Sequence, residues 1–163
     1  MNVKIIMVPL DGSALAELAL APATELARDA SATLVLVRAT EAPVQLGADP
    51  TEAQVTVVRE AEAYLDEQAR RLRREGIARV ETSVWYGPAA PSLVEAAQRR
   101  KVDLIVMSSH GRSGLGRLVL GSVAETVLRA TSTSILLVRS PSAPIETPAR
   151  ATEPRQAKET LHA

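Results

Sequence analysis

The densest set of residues capable of chemistry lies between positions 108 and 122, which read SSHGRSGLGRLVLGS. This window holds four glycines, seven polar or basic side chains and no acid. Glycine lets the backbone approach an anion closely, and a helix N-terminus presents unpaired N–H groups. The composition therefore suits a phosphate cradle. A flexible surface loop has a similar composition, so residue types alone leave both interpretations open.

Individual side chains in the window support binding better than catalysis. Arg112 and Arg117 have the paired N–H donors that recognise phosphate, although an exposed arginine is often only solvated. Ser122 is placed either to cap a following helix or to contact a phosphate oxygen. His110 has no serine and aspartate partners that would make it a base, so we expect a polar ligand contact or a loop-stabilising hydrogen bond. We predict no catalytic residue.

The same window departs from the phosphate loop of nucleotide hydrolases. It lacks the lysine of the Gly-x-x-x-x-Gly-Lys-Ser/Thr motif, and it follows the fourth predicted strand where that motif follows the first. Rapid phosphate hydrolysis through such a loop is therefore disfavoured.

Alternating strands and helices must position this window. Short apolar runs predict strands, and the amphipathic stretches between them predict helices. Predicted strands cover residues 3–10, 33–39, 79–85, 102–107 and 134–138, and predicted helices cover 14–30, 52–75, 91–100 and 121–130. Pro22 is expected to kink the first helix or force a local adjustment. Helical connections imply parallel strands, so the fold class is α/β, with a five-stranded parallel sheet covered by helices on both faces.

Ligands of open parallel sheets bind beyond the carboxyl ends of the strands. The turn at Asp11, the segment Arg38-Ala39 and the glycine-rich window all lie at such ends, and together they could enclose a nucleotide. Asp11 has two compatible interpretations. It either makes a turn and caps the next helix, or it accepts a hydrogen bond from a ribose or orients a metal on the phosphates.

Composition narrows the remaining possibilities. The chain has 163 residues, zero formal net charge, no cysteine and two histidines. A nucleic-acid partner is not expected without a basic excess, and disulfides are excluded. Neither a signal peptide nor a run of about 20 apolar residues is visible, so we predict a cytoplasmic protein without a membrane partner. Residues 140–163 contain four prolines and few large apolar side chains, which predicts a disordered tail after a domain at 1–139.

These residues resemble the universal stress protein family. The resemblance is carried by IMVPLDGS at positions 6–13, DLIVM at 103–107, HGRSG at 110–114 and LGSVA at 120–124. ATP-binding members have Gly-x-x-Gly, nine residues, then Gly-Ser or Gly-Thr. Gly111, the nine residues that follow it and Gly121-Ser122 match the second part, whereas Ser108 replaces the first glycine. Serine there either weakens nucleotide binding or only adds a hydrogen bond.

The resemblance implies a three-layer, Rossmann-like fold of the adenine nucleotide α-hydrolase type that binds ATP, with Mg²⁺ held mainly by the phosphates. It implies a cytoplasmic stress-response protein that acts as a nucleotide-responsive switch or binding module with at most slow hydrolysis. It also implies a homodimer formed through the strand at 134–138. The implied nucleotide-binding residues are Pro9, Leu10, Asp11, Ala39, Met107, Ser108, His110, Gly111, Arg112, Ser113, Gly121, Ser122 and Val123. Two alternatives remain open, a scaffold of the same fold without nucleotide and a slow adenine-nucleotide hydrolase using His110 or Asp11.

Overall fold

The computed structural model describes residues 3–43, 49–109 and 120–139. Its strands are β1 Ile5–Pro9, β2 Thr33–Thr40, β3 Val80–Tyr86, β4 Leu104–Ser108 and β5 Ser134–Val138. Its helices are α1 Ala14–Glu17, α2 Leu20–Ala30, α3 Pro50–Arg74, α4 Ala89–Arg99 and α5 Ser122–Ala130. The five strands form one parallel sheet in the order β3-β2-β1-β4-β5. This confirms the predicted fold class and sheet.

The sheet is buried on both faces. On one face, buried side chains such as Ile6 and Leu36 pack with Leu65 and other residues from α1, α2 and α3. On the other, Met7 and Ile105 pack with residues from α4 and α5. Aliphatic side chains point alternately to the two faces, as expected for parallel strands with helices on each side. The molecule therefore has three layers.

The predicted helix over residues 14–30 is divided in two, so its single range is wrong, while the local adjustment expected from Pro22 is confirmed. The structure has two helices separated at Leu18 and Ala19, whose N–H groups donate to the carbonyls of Leu15 and Ala16 at 3.3 and 3.1 Å. Pro22 explains the break, because it has no N–H to donate to the carbonyl four residues earlier and its ring crowds that carbonyl. It is accommodated in the first turn of α2, where backbone N–H groups have no partner within the helix.

Asp103 joins the amino ends of β1 and β4. Its Oδ2 accepts hydrogen bonds from the backbone N–H groups of Lys4 and Ile5 at 2.8 and 2.9 Å. These two bonds hold the pKa of the Asp103 carboxyl below its ordinary value. Ionised Asp103 therefore stabilises the folded state above the pKa of the unfolded chain, about 3.9, and this contribution is lost as the pH falls through the lower, folded pKa.

We expect Asp103→Asn to reduce the acid sensitivity of folding. The free energy of unfolding, measured in urea at pH 7 and again near pH 3, should fall less between the two conditions in the variant than in the wild type. An identical fall in both proteins would show that the Asp103 carboxylate does not support the fold in this way.

Candidate functional site

A cleft of about 480 Å³ opens at the carboxyl edge of the sheet. The chain reverses its direction of travel along the sheet between β1 and β4, and the cleft lies across this point. Parallel sheets bind ligands at such positions, and the volume lies within the roughly 300–1,000 Å³ of small-molecule sites.

The cleft brings together many of the residues that the sequence singled out. The predicted residues come from four of its segments, namely the ends of β1, β2 and β4 and the start of α5. The predicted residues in its lining are Pro9, Leu10, Asp11, Ala39, Met107, Ser108, Gly121, Ser122 and Val123. His110, Gly111, Arg112 and Ser113 lie outside the described residues, as does Arg117.

The turn after β1 has a defined hydrogen-bonded geometry. Asp11 Oδ1 accepts from the backbone N–H of Ser13 at 2.9 Å and from its hydroxyl at 2.6 Å. The Ser13 hydroxyl oxygen in turn accepts from the N–H of Ala16 at 3.1 Å and caps α1. Gly12 between them has φ +85°, a conformation that glycine adopts without strain. The turn-forming interpretation of Asp11 is confirmed, and its proposed ribose contact stays a prediction.

Hydrogen bonds around Ser109 connect the end of β4 to β5 and to the start of α5. The N–H of Ser109 donates to the Val138 carbonyl at 2.9 Å, and its carbonyl accepts from the N–H of Gly121 at 2.8 Å. Ser108 and Ser109 are both buried. Ser109 and Gly121, near the two ends of the glycine-rich window, are therefore hydrogen-bonded to each other at the rim of the cleft.

The start of α5 faces the same cleft. Gly121 is the N-cap residue and makes no side-chain cap, while Ser122 is the first helical residue. The expectation that Ser122 caps the helix is therefore not met, and its exposed side chain is placed at the mouth of the site. The first N–H groups of a helix have no acceptor within the helix and carry a partial positive charge. This end of α5 suits an anionic group.

Sequence reasoning missed several residues of the cleft. Ala89 and Leu93 of α4 form an apolar wall together with Met107 and Ala124, and Glu41 and Ser109 add polar groups. Helical periodicity assigns the buried face of α4 to the core, and it does not show that the first turn of that face also borders a cavity. Arg38 was recognised only as a strand-end residue, yet its side chain lines the cleft.

The family model described as "Universal stress protein family" matches residues 2–139. The chain belongs to the universal stress protein family. A universal stress protein of Methanocaldococcus jannaschii is 30% identical over 142 residues, which cover 85% of this chain and 83% of the relative. The domain bounds of 1–139 stay a prediction, and the predicted tail at 140–163 lies outside the described residues.

Solved structures of universal stress proteins share this fold. One from Burkholderia pseudomallei superimposes with a TM-score of 0.67 at 30% identity, covering 84% of this chain and 96% of that one. Another universal stress protein, solved in complex with cAMP, gives a TM-score of 0.66 at 25% identity and covers 85% and 98% of the two chains. The Rossmann-like architecture is therefore the common framework of these proteins.

Two properties of the described residues bear on other classes of function. Within residues 3–43, 49–109 and 120–139, no group of three or more His, Cys, Asp or Glu side chains is arranged to hold a metal ion. In the same ranges, no helix is long and apolar enough to cross a membrane.

Proposed function

We propose that this universal stress protein binds an adenine nucleotide, ATP, in the cleft between the ends of β1 and β4. The observation that carries the proposal is the meeting of three features in one cavity: the Asp11 turn, the backbone at Ala39 and the N-terminus of α5. The universal stress protein solved with cAMP supports an adenine ligand for this fold.

Each part of the cleft suits one part of the nucleotide. The apolar wall formed by Ala89, Leu93 and Met107 offers a surface for the adenine ring, beside the backbone polar groups of Ala39. The Asp11 carboxylate is assigned to the ribose hydroxyls. We therefore assign adenine to the side of the cleft formed by the α4 wall and the end of β2, and the ribose to the end of β1.

The phosphates are assigned to the segment from β4 to α5. Ser108, Ser122 and the first N–H groups of α5 border this side of the cleft. His110, Gly111, Arg112 and Ser113 complete the assignment from the sequence. Mg²⁺ would be held mainly by the phosphates themselves.

The proposed role is a cytoplasmic switch or binding module whose state follows nucleotide occupancy, with at most slow hydrolysis. The glycine-rich window supplies anion-binding groups without the lysine of hydrolytic phosphate loops, which favours binding over turnover.

Isothermal titration of the full chain with ATP and Mg²⁺ tests this proposal, with GTP as the matched nucleotide. We expect saturable binding of ATP and at least about tenfold weaker binding of GTP, because one hydrogen-bonding edge differs between the bases. Absence of a binding signal at millimolar ATP would overturn the proposal.

A second candidate is a scaffold of the same fold that binds no nucleotide. Ser108 favours it, because this buried side chain lines the cleft where the family pattern has glycine. Under the nucleotide proposal, Ser108→Gly should change the ATP affinity less than about threefold, since serine adds only a small side chain. A wild type without measurable affinity and a Ser108→Gly variant that binds ATP would establish the scaffold.

We also propose a homodimer formed through β5. This strand is at the edge of the sheet and its Leu136 is 38% exposed. An uncovered apolar edge strand is an aggregation hazard that pairing removes. Light scattering after size-exclusion chromatography should give twice the chain mass, and Leu136→Lys should shift it toward the monomer. A monomeric wild type would contradict the proposal.

A further inference from the structure

The guanidinium of Arg38 is held between two surfaces at the edge of the cleft. A Cβ placed on Gly12 would lie 3.5 Å from Nη1, 3.6 Å from Nη2 and 3.7 Å from Cζ, so the guanidinium faces Gly12 with its three atoms at nearly equal distances and leaves room for little more than a methyl group between them. Arg38 Cζ is also 5.1 Å from the centroid of the Tyr64 ring. This distance is typical of a cation–π contact.

Non-polar contacts surround the guanidinium among the residues that the structure describes. In the described part of the chain, no hydrogen bond or salt bridge is made by Arg38, although its side chain is half-buried. The position of the guanidinium is therefore described by its neighbours Gly12 and Tyr64.

Tyr64 is hydrogen-bonded to α1, the helix that follows the Asp11 turn. The Tyr64 hydroxyl donates to Glu17 Oε1 at 2.9 Å, and Gln68 Nε2 donates to the same oxygen at 3.3 Å. Burial, together with this bond to Glu17, raises the pKa of the Tyr64 hydroxyl well above its ordinary value. Glu17 ends α1, which starts directly after the Asp11 turn.

Arg38 thus lies beside Gly12, and Tyr64 is hydrogen-bonded to Glu17, so these two side chains border both ends of the segment from Gly12 to Glu17. We propose that Arg38 is a positioning residue for ribose recognition: it holds the Gly12 turn so that the Asp11 carboxylate keeps a fixed direction toward the ribose hydroxyls. This inference rests on the proposed nucleotide function. It assigns to Arg38 the cleft's preference for ribose over sugars that lack these hydroxyls.

The decisive readout is the ratio of affinities for ATP and 2′,3′-dideoxy-ATP, which lacks both hydroxyls. A hydrogen bond to a carboxylate predicts that the wild type binds ATP about tenfold more tightly. In Arg38→Met, the ratio should fall below about threefold while the affinity for dideoxy-ATP stays within about twofold. Arg38→Lys should behave like Arg38→Met, because an ammonium retains the charge but not the flat packing surface.

Arg99 provides a matched control. Its guanidinium lies 5.5 Å from the Trp85 ring in a similar contact, but Arg99 is not among the residues that line the cleft. Arg99→Met should therefore leave the affinity ratio unchanged. Amide hydrogen exchange at Ser13 gives a readout that needs no nucleotide, because the Ser13 N–H donates to Asp11. If Arg38 positions the Gly12 turn, exchange of the Ser13 N–H should be about tenfold faster in Arg38→Met than in the wild type.

The outcomes separate this inference from the proposed function. If the wild type binds ATP but Arg38→Met keeps the full ratio and slow Ser13 exchange, the inference is wrong and the proposed function stands. Equal losses for both nucleotides in Arg38→Met would also overturn it, since Arg38 would then act on the phosphates or base. Equal affinities of the wild type for ATP and dideoxy-ATP would show that the ribose hydroxyls are not recognised, and would also overturn the inference. No ATP binding at all would overturn the proposed function itself.

Discussion

Ser122→Asp is expected to lower the affinity for ATP about 100-fold while leaving the chain folded. The new carboxylate would stand at the mouth of the cleft, in the first turn of α5, where the phosphates are assigned. Like charges about 4 Å apart repel by several kcal/mol at the effective dielectric of a protein surface, and about 2.7 kcal/mol corresponds to 100-fold. Titration calorimetry with ATP measures the loss.

The design of this variant separates binding from folding. An acidic side chain in the first turn of a helix interacts favourably with the helix dipole, and the Ser122 side chain is exposed, so the unfolding temperature should hold or rise slightly. Ser122→Thr keeps the hydroxyl and should bind ATP as the wild type does. Adenosine, which has no phosphate, should lose much less affinity for Ser122→Asp. If ATP binds Ser122→Asp as tightly as the wild type, the phosphates do not lie at the start of α5.

Ile105→Ala is expected to cost about 2–5 kcal/mol of folding stability. Ile105 is fully buried in β4, beside Met7 of β1 and Ile135 of β5. Removing three carbons there loses the transfer free energy of the side chain and leaves a cavity that the parallel sheet can only partly close. Because domains of this size are stable by only about 5–15 kcal/mol, the loss is a large fraction of the total. Urea unfolding measures it.

Two further variants calibrate this result. Ile105→Val removes one methylene and should cost about 0.5–1.5 kcal/mol. Leu26→Ala changes a side chain on α2 that is 37% exposed, and it should cost less than Ile105→Ala. If Ile105→Ala cost no more than Leu26→Ala, Ile105 would not be part of the packed core between the sheet and its helices.

The sequence predicted the sheet because its signals are local and mutually consistent. Each strand is a short run of branched aliphatic residues, and helical connections leave parallel pairing as the simple solution. Strand ends were predicted to within about two residues, and the stop of α3 followed from Gly76, which has φ +88°. The division between α1 and α2 was missed, because apolar periodicity continues across Leu18 and Ala19 while Pro22 sets where the second helix starts.

The cleft was predictable where it depends on topology and less so where it depends on packing. Asp11, Ala39 and Ser108 follow from their positions at strand ends. The wall from α4 and the position of Arg38 depend on tertiary geometry. The guanidinium lies between Gly12, which is 26 residues earlier in the chain, and Tyr64, which is 26 residues later. No local pattern in the sequence marks a contact of that kind.

The proposed function depends on occupancy of the cleft between the ends of β1 and β4 by an adenine nucleotide. Its most direct test is a titration of the isotope-labelled chain with ATP and Mg²⁺, followed by amide chemical shifts in NMR. We predict saturable shifts concentrated at Asp11 and Ser13, at Ala39, at Ser108, and at Ser122 and its neighbours in α5, with little change at Leu26 of α2. Shifts concentrated elsewhere, or none at millimolar ATP, would contradict it.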